Sequence, residues 1–180
     1  MSGSRTEGRT PEDWLAVLAP PLYRWLAAAT WEVVVRRPPS SPMRRKLLER
    51  NCLRAFSAFN RRDLRVFVSL FDPDVVYDVS HIHGWPDEQV YHGHAGLVDM
   101  ATNWYAHLNF WFELLELHDL GGPTVLVVGE FQLEGAESGV PLEHVPWIQL
   151  ATARRGRGVR IDNYSDRAEA MRAAGLRSAT

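Results

Sequence analysis

The sequence predicts an α+β protein, because its helical patterns come early and its strand patterns come late. Apolar residues at helical spacing dominate the first 70 residues, whereas long runs rich in β-branched and aromatic residues fill the stretch from 109 to 164. An alternating α/β protein would interleave the two patterns. At 180 residues, with 46% hydrophobic and 23% charged residues, the chain is long enough for one domain with a sizeable core.

The first part of the chain, residues 1–42, is predicted to be an extension of two short amphipathic helices and a proline-rich linker. The helices are expected at about 12–19 and 21–34, because Pro20 and Pro21 interrupt the apolar stretch between them. Clustered prolines in the linker cannot continue a helix, so they mark the boundary with the rest of the chain.

The apolar faces of these two helices need a covering surface. Trp14, Leu18, Leu22 and Trp25 are among the residues that form them. The cover could be the domain itself, a partner subunit or a membrane surface. Prolines and charged residues inside the stretch argue against a membrane-spanning helix, and membrane contact is not among the interactions that we predict.

The remaining residues, 43–177, are predicted to form a single domain. Helices are expected at about 43–59, 63–70 and 94–107, and strands at about 75–79, 109–118, 123–134, 140–152 and 157–164. Asp63 is well placed to cap the second of these helices, because its carboxylate can accept hydrogen bonds from the exposed amides of the first turn.

Composition and charge argue against several classes of protein. Cys52 is the only cysteine, so the chain cannot form an internal disulfide, and a cytoplasmic location is predicted. Residues 1–65 hold thirteen basic and six acidic residues, and the remainder holds seven and sixteen, giving +7 and −9 within a net charge of −2. The basic residues follow no nucleic-acid-binding motif, so no nucleic-acid partner is predicted.

Two histidine pairs flank a loop in the middle of the chain. They are His81 with His83, and His92 with His94. Four imidazoles could converge there, but no nearby carboxylate completes a known metal-binding motif. We therefore predict loop histidines, with no metal and no other cofactor.

Several short segments are informative through their order and spacing. In chain order they are 58–64 (AFNRRDL), 71–78 (FDPDVVYD), 91–97 (YHGHAGL), 138–140 (SGV), 157–161 (RGVRI) and 163–176, which begins NYSDRAEA and ends AGL. Together they resemble the SnoaL-like domains of the nuclear-transport-factor-2-like superfamily. The resemblance covers about residues 46–176 and leaves the N-terminal extension outside it.

This resemblance implies a curved antiparallel or mixed sheet wrapped around helices, which forms a cone with an apolar pocket. In that family the cone serves as polyketide cyclase, ketosteroid isomerase, epoxide hydrolase, or non-catalytic binding or dimerisation module, so the fold does not decide the function. We expect the pocket to bind a small hydrophobic, uncharged and ring-like molecule. The protein would then be a cyclase, isomerase or lyase that uses one acid–base carboxylate, or a non-catalytic module for ligand binding or dimerisation.

Asp78, Glu130 and His81 are the candidates for acid–base catalysis that the resemblance indicates. Asp78 lies at the place of the isomerase base or one residue before it, with Val79 as the alternative. The phenol that those isomerases use falls near Ala55, which argues against steroid isomerisation. Of the acid–arginine–acid set of the hydrolases, only Glu130 is present. Alternation along its strand places Glu130 on a mostly apolar face, where a carboxyl group would bind a proton more readily; exposure to solvent or an ion pair is the alternative.

Tyr77, Trp104, Trp147, Gln149 and Asn163 are the candidates for the substrate-binding wall. The aromatic side chains would give a flat ligand surfaces to lie against, and the Gln149 amide would orient it. Asn163 corresponds to a polar position of the hydrolase set.

Apolar residues occupy both faces of two predicted strands, 123–134 and 140–152. A sheet that is apolar on both sides needs a second layer, and few helices remain to supply one. We therefore expect a homodimer formed through the outer face of the sheet. A monomeric mass in light scattering at micromolar concentration would count against it.

Overall fold

A mixed sheet and the helices that pack on it make up the structure, a computed structural model that describes residues 8–85, 89–107, 109–134 and 141–176. Within these ranges the helices are α1 (Pro11–Leu18), α2 (Pro20–Val35), α3 (Pro42–Asn60), α4 (Leu64–Ser69), α5 (Gly93–His107) and α6 (Arg167–Ala173). The strands are β1 (Phe71–His81), β2 (Val90–His92), β3 (Asn109–Asp119), β4 (Thr124–Glu134), β5 (Pro141–Arg154) and β6 (Arg157–Tyr164).

The strands form one sheet in the order β2-β1-β6-β5-β4-β3. All neighbouring pairs are antiparallel except β1 and β6, which run parallel with Tyr77 opposite Ile161. The sheet does not close, since β2 and β3 lie at its two edges. The predicted α+β class, with a mixed sheet around helices, is confirmed.

The main core fills the space between α3, α5 and the inner face of the sheet. Alternate residues of each strand point into it, as the period of two along a strand requires. On β1 these are Val75, Tyr77 and Val79, and on β4 they include Val127 and Phe131. This inner face is where a pocket can form.

A second, smaller core lies on the outer face of the sheet, where α6 covers it. Leu126, Val128 and Ile148 are buried there together with Tyr164 and Ala170. The outer-face apolar residues that led us to predict a dimer interface are thus covered within the chain. The homodimer stays a prediction, but an uncovered sheet face can no longer serve as its argument, because α6 covers that face.

The elements that the sequence analysis did not predict are β2 and α6, and β1 is longer than expected. The strand expected at about 75–79 begins earlier, because Asp72, Pro73 and Asp74 belong to β1, with a register irregularity between Phe71 and Val76. The signal for α6 was the Asp166 side chain, which accepts from the backbone N–H of Ala168 (2.6 Å) and caps the helix.

The N-terminal helices pack on the domain with a different face from the one we expected. Leu22 and Trp25 of α2 remain 49% and 64% exposed, whereas Tyr23, Trp31 and Val34 are buried. Both sets follow helical spacing, so periodicity alone could not choose between them.

Two buried arginines of α3 fasten these helices. Arg44 donates to both carboxylate oxygens of Asp119 (2.6 and 2.7 Å) and to the Val34 carbonyl at the end of α2 (3.1 Å). Arg54 donates twice to the Asp13 carboxylate of α1, at 2.9 and 3.1 Å. The Arg44–Asp119 contact is bidentate, which fixes orientation as well as adding energy, whereas both Arg54 donors share one oxygen of Asp13.

Both carboxylates in these contacts have lowered pKa values. Burial alone would raise the pKa of Asp119, but the hydrogen bonds from Arg44 and from the Gly121 backbone N–H, together with the Arg44 charge, outweigh it. Burial likewise opposes the shift of Asp13, whose pKa is lowered by hydrogen bonds from Thr10 and from Arg54. A group whose folded pKa lies below its unfolded value stabilises the fold fully above the unfolded value and loses that contribution as the pH falls through the folded one.

Acidification should therefore destabilise the protein as the pH falls below about 3.8, the ordinary aspartate value. Differential scanning calorimetry at a series of pH values from 6 to 2.5 should show a melting temperature that falls most steeply below about pH 3.8. The Asp119→Asn variant should be less stable at pH 6 and should lose less on acidification, while Asp74→Asn, at an exposed position, should behave like the wild type. If acidification lowered the melting temperature of D119N as much as that of the wild type, Asp119 would not be a source of the acid sensitivity.

Candidate functional site

An apolar cavity of about 130 Å³ lies between α3 and the inner face of the sheet. Side chains from α2, α3, β1, β4, β5 and β6 line it, and most are aliphatic or aromatic. An apolar cavity of about 150 Å³ is large enough for benzene, whereas pockets for drug-sized ligands usually exceed about 300 Å³. The space therefore suits a molecule of about one ring.

A chain of hydrogen bonds supplies part of the polar lining, to which Asn51 and Thr152 also belong. Gln149 Nε2 donates to the Tyr77 hydroxyl oxygen (3.1 Å) and to Asn163 Oδ1 (2.9 Å). Asn163 Nδ2 in turn donates to the Asp78 backbone carbonyl (2.8 Å). The three side chains meet because β1, β6 and β5 are adjacent, with Gln149 directly opposite Asn163, and each points inward.

The wall of the cavity is uncharged at neutral pH. Burial raises the pKa of the Tyr77 hydroxyl above its ordinary range, more than the hydrogen bond from Gln149 lowers it. Burial, assisted by the negative charge of Glu49, raises the pKa of the Cys52 thiol to about 12. No Asp, Glu, His, Lys or Arg lines the cavity among the described residues. Such a wall favours an uncharged ligand.

The five predicted substrate-binding residues separate into two groups. Tyr77 and Gln149 line the cavity, and Asn163 lies directly behind Gln149 and holds it. Trp104 and Trp147 belong to an aromatic cluster with Trp85, where ring centroids are 4.8 to 5.9 Å apart, and Trp147 also adjoins the Tyr77 hydroxyl. These two tryptophans fill the cone and do not line the cavity.

Asp78 does not point into the cavity, which corrects the placement that we expected. Val79, the alternative at this position, takes the inward direction because side chains alternate along β1. The Asp78 carboxylate accepts from the Ser80 backbone N–H (2.9 Å) and lies 3.5 Å from Arg160. Burial would raise the pKa of Asp78, but hydrogen bonds from Ser80 and the neighbouring charges lower it below its usual value.

Glu130 and His81 also lie away from the cavity. Glu130 follows Val128 on the outward side of β4, the side that α6 helps to cover. The His81 ring stacks on Tyr164 at 4.6 Å and lies 3.3 Å from the Glu169 carboxylate of α6. The expectation of an acid–base carboxylate inside the pocket is therefore not met by any of the described residues.

The described part of the chain contains no group of three or more histidine, cysteine, aspartate or glutamate residues that could hold a metal ion. Three of the four histidines that we predicted to lie in a loop belong to regular elements, so that prediction was wrong for them. His81 ends β1, His92 ends β2, and His94 lies in α5, where its Nε2 is 3.0 Å from the Phe71 carbonyl oxygen. None of the helices in the described ranges is long and apolar enough to cross a membrane.

Comparison with known proteins identifies the family. Residues 53–166, more than half of the chain, match the family model of the SnoaL-like domain. The chain belongs to this SnoaL-like family. We found no match among curated proteins.

Solved structures similar to this SnoaL-like protein share its fold at low sequence identity. One is an NTF2-like protein of unknown function from Burkholderia pseudomallei (TM-score 0.55, 20% identity, 69% of this chain and 94% of that one). A second is TerC co-crystallised with polyporic acid, with a TM-score of 0.54, 18% identity, and coverage of 70% of this chain and 96% of that one. A third is a putative SnoaL-like polyketide cyclase from Shewanella putrefaciens, with a TM-score of 0.52, 11% identity, and coverage of 64% of this chain and 87% of that one. At these identities the similarity shows the fold alone.

Two residues of the N-terminal extension line the cavity, outside the SnoaL-like match, and were missed by the sequence analysis. Tyr23 and Trp31, both on α2, contribute to the wall opposite the sheet. The available signal was the helical spacing that Tyr23 and Trp31 share with Val34. Leu22 and Trp25 follow a competing helical spacing on the same helix but remain exposed.

Proposed function

We propose that this SnoaL-like protein binds a small, uncharged, single-ring molecule that carries one hydroxyl or carbonyl group. The observation that supports this most directly is the combination of an apolar cavity of about 130 Å³ with one pair of hydrogen-bonding side chains, Tyr77 and Gln149, in its wall. Pockets with an apolar lining and a few fixed polar groups are the usual form of small-molecule sites.

The hydrogen-bond chain fixes which atoms remain for the ligand. Gln149 uses its amide nitrogen for both Tyr77 and Asn163, so the orientation of its amide is set. The Tyr77 oxygen accepts from Gln149, and a ligand oxygen that reaches this hydroxyl would accept its proton in competition with the neighbouring Asn163. A ligand hydroxyl or carbonyl at this point would form a hydrogen bond that a plain hydrocarbon could not.

Binding is better supported than carboxylate catalysis. Asp78, Glu130 and His81 lie outside the cavity, and the raised pKa values of Tyr77 and Cys52 keep both groups protonated at neutral pH. A cyclase, isomerase or lyase reaction with an acid–base carboxylate would need one of those three residues to reach the ligand. We therefore propose a ligand-binding module as the function, with catalysis as the alternative.

Phenol and benzene are matched probes for this proposal, because they differ by a single hydroxyl group. We expect isothermal titration calorimetry to show that phenol binds the wild type about three- to tenfold more tightly than benzene, as one net hydrogen bond of about 1 kcal/mol would give. Tyr77→Phe should remove most of this preference and leave benzene binding nearly unchanged.

Tyr105→Phe is the control for this experiment. The Tyr105 hydroxyl donates to the Phe59 carbonyl (2.8 Å) and does not line the cavity, so this variant should keep the wild-type preference. Absence of binding for both probes, or an unchanged phenol preference in Y77F, would refute the proposal.

A further inference from the structure

The N-terminal extension supplies one wall of the cavity. Tyr23 and Trp31 lie on α2, opposite the strands that carry Tyr77 and Gln149, and both are buried at 6% and 8% exposure. The family match begins at Leu53, so this wall is an addition to the part of the chain that the match covers.

On the other side of this wall lies a second, smaller cleft of about 70 Å³. Tyr23, Trp31 and Asn51 line both spaces, so they separate the cavity from the cleft. The cleft also contains Arg50 and Arg54, so it is more polar than the cavity. This partition therefore limits the length of the ligand that the cavity can hold.

The wall is held in a fixed position. At Gly156, in the turn between β5 and β6, an added Cβ would lie 2.5 Å from the Ala27 carbonyl, so the backbone of α2 contacts the turn directly. Arg44 ties the end of α2 to Asp119, and Arg54 donates to the Tyr23 hydroxyl (3.3 Å). Because contacts hold α2 on both sides, it is a fixed wall of the cavity.

We infer that Trp31, supported by Tyr23, is the specificity-determining residue that limits the ligand to about one ring. This inference rests on the proposed function and extends it to ligand size. Trp31 is the largest side chain of the partition, so its truncation would join the cavity to the cleft. The joined space would admit a second fused ring while Tyr77 and Gln149 still bind the hydroxyl group.

Phenol and 2-naphthol, which share a hydroxyl and differ by one fused ring, test the inference. Calorimetric titration should show that the wild type prefers phenol. In Trp31→Ala the ratio of 2-naphthol affinity to phenol affinity should rise by about tenfold or more, since small changes in pocket size change discrimination by at least this factor. Trp31→Phe, which keeps an aromatic ring in place, should raise this affinity ratio by a smaller factor. It replaces W31A as the test variant if W31A does not fold.

Trp25→Ala is the matched control, because Trp25 lies on the same helix but is 64% exposed. It should keep the wild-type ratio. If the wild type binds phenol in a Tyr77-dependent way and both Trp31 variants keep the wild-type ratio, the inference is overturned while the proposed function stands. If the wild type binds neither probe, the proposed function fails and the inference falls with it.

Discussion

Replacing Arg44 with methionine should lower the free energy of unfolding by about 3–5 kcal/mol, the usual cost of removing one partner from a buried ion pair. The Arg44 side chain is 1% exposed and forms a bidentate contact with Asp119. It also donates to the carbonyls of Val34 and Gly122. The substitution leaves the Asp119 charge and these carbonyls without their partner in a mostly buried place. Urea unfolding curves would measure the loss.

Arg45→Met is the matched control for this prediction, since Arg45 is the next residue of α3 and is exposed. It should change the free energy of unfolding by no more than about 0.5 kcal/mol. The double variant R44M/D119N should be less destabilised than the sum of the two single variants, because both remove the same contact. A loss below about 1 kcal/mol in R44M would show that this arginine is not a main fastening of the extension.

Trp104→Ala should cost about 3–5 kcal/mol, the range observed when a large buried aromatic side chain is truncated. Trp104 is 2% exposed and contacts Phe59, Trp85, Phe131 and Trp147 through ring pairs. Its removal leaves a hole in the middle of the aromatic cluster that the surrounding rings can fill only in part.

Calorimetry of W104A and of Trp25→Ala would compare the same truncation at a buried and an exposed site. W25A should be nearly neutral, within about 0.5 kcal/mol. A similar small effect for both variants would mean that the cluster repacks freely. That result would also reopen Trp104 as a residue of the ligand wall, the role that we first expected for it.

Much of the fold follows from local patterns, because each pattern depends on neighbours along the chain. Asp63 caps α4 as expected, with its carboxylate accepting from the Val66 backbone N–H (3.4 Å). The late strands also lie close to their expected places. The extent of β1 was missed because it depends on pairing with β6, which is distant in sequence. The helix α6 was missed although Asp166 provided a local capping signal for it.

The site was predicted in part. Tyr77 and Gln149 line the cavity, as expected, because both lie on inward positions of long strands. Asp78 was misplaced by a single residue of alternation, which is enough to move a side chain to the opposite face of a sheet. Since Tyr77 points inward, plain alternation along β1 places Asp78 outward and Val79 inward, so the local pattern already contained the answer.

The contribution of α2 to the cavity could not be deduced from periodicity. Two overlapping faces of the helix, one with Leu22 and Trp25 and the other with Tyr23 and Trp31, both satisfy helical spacing. Contacts with α3 and with the turn at Gly156 decide which face is buried.

The cluster of Trp85, Trp104 and Trp147 gives the protein an intrinsic spectroscopic reporter. Their indole rings lie 4.8 to 5.9 Å apart at fixed angles, close enough for their electronic transitions to couple. Near-ultraviolet circular dichroism depends on rigid aromatic packing, so its signal should come largely from this cluster. Loss of that signal with the far-ultraviolet signal retained would distinguish a loosened interior from global unfolding, without any added dye or label.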